Sequence, residues 1–94
     1  MEKNIKRYLS NWKDEKNSTR LYRFLAENEN DTRLKEVYSR LAATEERHAN
    51  RWEQLIKEEG GTVPDFKPTW RTNALCWITK HFGVEIVLPT VVEM

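Results

Sequence analysis

The stretch LAATEERHANRWEQLI, residues 41–56, decides how this chain is read. Leu41, Ala42, Ala49, Trp52, Leu55 and Ile56 fall on the three-and-four spacing of an amphipathic helix. Upstream, Leu34, Val37 and Tyr38 extend the stripe, and Gly60 and Gly61 close it, so a helix is predicted from 32 to about 59. A helix turns roughly 100° per residue, which places Leu34, Tyr38, Trp52 and Ile56 within roughly 20° of Glu45 around the axis. A carboxylate therefore stands in the middle of the apolar face, and His48 projects from the same face one turn later.

The preceding segment repeats the anomaly. Ile5, Tyr8, Leu9, Trp12, Thr19, Tyr22 and Ala26 outline a helix from 3 to about 28. By the same count Tyr8, Tyr22 and Ala26 lie within roughly 20° of Glu15. Glu27, Glu46 and Glu53 fall instead on polar flanks. Asn28, Asn30 and Asp31 form a turn, with Asp31 as N-cap of the second helix. A connection this short implies an antiparallel hairpin. The hairpin occupies residues 1–60. Residues 61–94 hold a linker and short C-terminal helical segments. GGTVPDFKP (60–68) is the linker, and a third helix is predicted from 69 to about 82 with Trp70, Ala74, Trp77, Ile78 and His81 on one side. The Trp70, Trp77 and Phe82 group is expected to cap the open end of the hairpin or to build a dimer interface, with contact to a membrane surface the less favoured alternative. His81 and Cys76 carry no role in this reading. Residues 84–94 read as a strand or as further helix, with Pro89 against a central strand.

The chain has 94 residues, enough for one small domain that gains from a partner copy or a metal. Its 33% charged and 38% hydrophobic content describes a soluble chain with amphipathic elements rather than a disordered one. The net charge is +1 with both signs interspersed, which gives no electrostatic case for nucleic acid. Cys76 is the sole cysteine, so an internal disulfide is impossible, and a cytoplasmic location is expected. The N-terminus has no apolar run like a signal peptide, and VEIVLPTVVEM (84–94) is too short to span a bilayer. No membrane association is expected.

A buried, unpaired carboxylate is costly and calls for a cation, a proton or a metal. Singly, Glu15 or Glu45 is explained by snorkelling, and His48 by an ordinary core or surface role. Together they need a common cause. Carboxylate oxygens and one imidazole suit iron or manganese, with zinc an alternative. Four-helix carboxylate proteins build a two-metal centre from a Glu on each of two helices and a Glu-x-x-His on each of the other two. Glu15, Glu45 and His48 make half of that set, and a two-fold dimer of the hairpin would supply the whole.

At these residues the chain resembles the ferritin-like superfamily, and rubrerythrin in particular. Glu15, Tyr22 and Ala26, in the pattern E-x6-Y-x3-A, resemble the first rubrerythrin helix, and LAATEERHANRW resembles the second. The order of segments through HFGVEIVLP (81–89) is similar to the rubrerythrin-like domain of vacuolar iron transporter relatives. The resemblance implies an all-α fold in which two hairpins pair as a four-helix bundle. It implies Glu15 and Glu45 as iron ligands, Glu45 bridging, with His48 a terminal ligand and two irons per homodimer. It implies iron oxidation or peroxide reduction. Tyr22 and Tyr38 are core aromatics whose hydroxyls are suited to hydrogen-bond a metal-bound carboxylate. The family domain continues through a third ligand-bearing helix and a second E-x-x-H, neither of which is found before Met94. Glu93 stands where a third ligand helix would begin. The chain is thus either a truncated domain without a complete metal site or one half of a dimer. The competing reading is a non-enzymatic helical dimerisation or interaction module, with Glu15 and Glu45 paired to Lys or Arg.

Overall fold

The computed structural model describes residues 2–87, and all of its regular structure is helical. No Gly or Pro occurs before Gly60, so nothing in the backbone interrupts two long helices. These are α1 (Glu2–Asn28) and α2 (Thr32–Glu58), packed side by side as a hairpin. A shorter α3 (Trp70–Phe82) lies against α1. Residues 84–87 add one helical turn, which settles that much of the segment in favour of helix. Pro89 and Glu93 lie outside the described residues.

Local chemistry sets the ends. Asp31 caps α2: its side chain accepts from the amides of Arg33 and Leu34 at 2.9 and 3.1 Å. At the other end the Gly61 amide donates to the Ile56 carbonyl and the Gly60 amide to that of Lys57, a Schellman closure with Gly60 at φ +83°. Gly61 is also a close-approach site, because a Cβ there would sit 2.9 Å from the Ile56 side chain. The linker then folds back, and Val63 and Phe66 cover the open end of the hairpin.

The core has two parts. Near the open end, Trp12, Ala49 and Ile56 are buried among Tyr8, Leu9, Trp52, Val63 and Phe66. Near the turn, Leu21, Leu25, Ala26 and Tyr38 are buried with Leu75, Cys76, Val84 and Val87. Leu21 and Leu25 are absent from the stripe read in the sequence because that stripe faces α2. They sit on another side of α1, which α3 covers.

Two expectations change. The Trp70, Trp77 and Phe82 group does not cap the hairpin, since all three side chains are exposed. The buried side of α3 is Thr72, Leu75, Cys76 and Thr79. Two threonines can be buried there because both hydroxyls are satisfied: Thr79 donates to the Leu75 carbonyl at 2.8 Å, and Thr72 to Asn17 Oδ1 at 2.8 Å. Asn17 Oδ1 also accepts from the Thr69 amide at 3.0 Å, so one α1 side chain holds the start of α3. On α2, Leu34, Val37 and Leu41 belong to the stripe yet are exposed. The apolar arc of α2 is wider than α1 can cover.

Candidate metal centre

Glu15 lies at mid-length of α1, and Glu45 and His48 at mid-length of α2, between the two apolar clusters. The antiparallel hairpin brings together residues 30 apart in sequence, and the E-x-x-H spacing adds the imidazole from the same face. His48 Nδ1 is 3.6 Å from Glu15 Oε2 and 3.9 Å from Glu45 Oε2. One ligand atom from each of the three lies within 4.8 Å of the others. All three residues named from the sequence are thus convergent.

Both carboxylate side chains are 23% exposed, while His48 is half-exposed. Glu15 Oε2 is buried and has no hydrogen-bond partner. No Lys or Arg forms an ion pair with either carboxylate among the described residues; Arg23 pairs with Glu46 and Arg40 with Glu36. The other flank carboxylate, Glu53, accepts from Trp12 Nε1 at 3.1 Å. Glu46 and Glu53 on the polar flanks therefore have conventional partners, and the stripe glutamates do not.

An orphaned, covered oxygen beside a second carboxylate and an imidazole is a donor set that fits a divalent cation. Metal–oxygen and metal–nitrogen bonds of about 2.0–2.2 Å bring such ligand atoms to within roughly 4 Å of one another. The observed spread therefore needs only side-chain adjustment. The nitrogen-plus-carboxylate chemistry favours iron or manganese over calcium or magnesium.

Tyr22 and Tyr38 stand two helical turns from the carboxylates. Tyr38 is buried in the cluster near the turn, and burial, then the Glu29 charge, pushes its hydroxyl pKa up from the ordinary value. Tyr22 is half-buried against the same cluster. Neither hydroxyl is bonded to Glu15 or Glu45 in the geometry described. The feature that sequence reasoning missed is Asn17, which leaves no periodic trace because it serves α3 rather than the site.

No curated protein and no solved structure matches the chain. A family model does: that of rubrerythrin, over residues 9–76, a span that takes in Glu15, Glu45, His48 and the start of α3. With convergent carboxylates and an imidazole on a helical hairpin, and most of its length inside that match, the chain belongs to the rubrerythrin family.

Proposed function

We propose that two copies of this chain pair through the exposed face of α2 and hold a di-iron centre between them. The ligands are Glu15, Glu45 and His48 of each copy. Manganese or zinc could replace iron with the same ligands. The observation that carries the reading is Glu15 Oε2, buried without a partner and within reach of Glu45 and His48. The exposed Leu34, Leu41 and Val37, roughly 20°, 40° and 80° from Glu45 around α2 and on the His48 side, support pairing at that face, because an apolar strip of this kind gains by burial.

Bound iron supplies redox chemistry, either its own oxidation or the reduction of peroxide. The chain's own residues do the rest. The carboxylates offset the metal charge and keep ligand oxygens in place. His48 contributes a neutral nitrogen from its exposed side. Tyr22 and Tyr38 pack in the apolar cluster two turns away, and their hydroxyls would reach the carboxylates only if side chains shift on metal binding. The apolar clusters on either side limit water at the site.

Native mass spectrometry after anaerobic Fe(II) loading tests the reading. The expected species is a dimer with two irons, and Glu45→Ala should remove the iron while the helical content stays. Unchanged iron stoichiometry in Glu45→Ala would overturn it. Metal affinity should also fall on acidification, because the ligands must be deprotonated.

One observation favours a second reading. His48 Nδ1 is near both carboxylates, so a protonated imidazole could bridge them without metal. The chain would then be a helical pairing module. Its thermal stability would be indifferent to Fe(II) or Mn(II), whereas a ligand of the folded state raises the melting temperature.

A further inference from the structure

The outward ridge of α3 has no use in the metal centre. With a turn of roughly 100° per residue, Trp70, Ala74, Trp77 and His81 lie within roughly 40° of Trp70 around the axis, opposite the buried line through Leu75 and Thr79. Trp70 is 81% exposed, and Trp77, Phe82 and Ile86 are also exposed. Trp77 stands against His81 and Phe82, at ring-centroid distances of 4.6 and 6.1 Å. An exposed aromatic line of this length on a short helix is costly in water and indicates a partner.

Charge identifies the kind of partner. Between Asp65 and Glu85 the sequence contains Lys67, Arg71 and Lys80 and no acidic residue. The near-neutral total conceals this local segregation. Arg71 and Lys80 are exposed on either side of the Trp ridge. Lys67 and Lys13 line a groove beside Phe66, with Asp65 as its acidic member. The adjoining groove on the other side of Phe66 carries Lys16, Arg20 and Arg23, although Glu27 and Glu46 share it.

We infer that α3 is a surface-docking helix for anionic phospholipid. Tryptophan and phenylalanine settle at the boundary between headgroups and acyl chains, and flanking Lys and Arg are drawn to an anionic leaflet. The helix is too short to cross a bilayer and would lie along it; no described helix is long and apolar enough to span one. The inference is independent of the metal centre and stands or falls separately from it.

The test is co-sedimentation of the full chain with vesicles of mixed phosphatidylcholine and phosphatidylglycerol, against vesicles of phosphatidylcholine alone. Binding is expected to the anionic vesicles and to weaken in high salt, with a blue shift of tryptophan emission on binding. Trp12 is already buried and Trp52 is partly buried in the same cluster, so the shift reports mainly on Trp70 and Trp77. The double variant Trp70→Ser/Trp77→Ser should lose at least about tenfold in affinity, as should Arg71→Glu/Lys80→Glu. All four side chains are exposed, so both variants keep the fold, verified by circular dichroism and by an unchanged thermal midpoint. Absence of vesicle binding overturns the inference. Binding that both variants retain overturns it too, as does self-association of the chain through the Trp ridge. Retention on a soluble polyanion such as heparin without vesicle binding likewise overturns the lipid assignment.

Discussion

Glu15 is wrong for stability and, under the proposed function, right for a metal. Its buried oxygen has lost water and gained no partner, a state that costs on the order of 1–3 kcal/mol. Glu15→Leu is therefore expected to raise the stability of the chelator-treated chain by about 1 kcal/mol while abolishing iron binding, read by urea unfolding and metal titration. The opposite is expected at Asn17. Asn17→Ala removes the acceptor for the buried Thr72 hydroxyl and for the Thr69 amide, and should cost about 1–3 kcal/mol in the same assay. Cys76 offers a third check. Burial raises its thiol pKa; Arg20 lowers it and Glu27 raises it by smaller amounts. A raised pKa means the folded state favours the neutral thiol. Its contribution to stability is full below the unfolded value and disappears as pH climbs through the folded one. Tyr38 acts in the same direction. Stability should therefore fall in the alkaline range, and the thiol should react with an aromatic disulfide only as fast as the chain opens.

At the scale of the helix, legibility depended on how many neighbours a helix has. α2 packs mainly against α1, so its stripe could be read directly, and the misplaced Glu45 and His48 were conspicuous in it. α1 packs against α2 on one side and α3 on another, and the superposed patterns hid Leu21 and Leu25. The candidate site was legible because it lies on the α1–α2 seam, where a hairpin with a short turn fixes which residues meet. α3 was legible as a helix but not in its orientation. Its large apolar residues suggest the buried side, yet small Thr72, Cys76 and Thr79 permit closer approach to α1. The exposed tryptophans are the cost of that choice. The close of α2 can be tested at Gly61. Gly61→Ala would force its new methyl against the branched Ile56 side chain, and the thermal midpoint is expected to drop.

At the scale of the whole molecule, the exposed part of the α2 stripe predicts assembly. Leu41→Glu places a charge on an exposed position, so the monomer should tolerate it, whereas a dimer paired there should not. Light scattering is expected to show monomers, with iron binding lost although every ligand is intact. A variant that stays dimeric and loads iron would place the pairing surface elsewhere. The clasp at Asn17 has a further consequence, in time rather than in space. Asn17 is two residues from Glu15 on the same turn of α1, but it points toward α3 instead of the site. Any opening of that turn of α1 must also break the hydrogen bonds by which Asn17 holds α3. Amide protons around Glu15 should therefore be among the slowest in the chain to exchange with solvent, and Asn17→Ala should quicken them selectively. Such a result would show the turn that carries Glu15 kept still by a helix outside the proposed site.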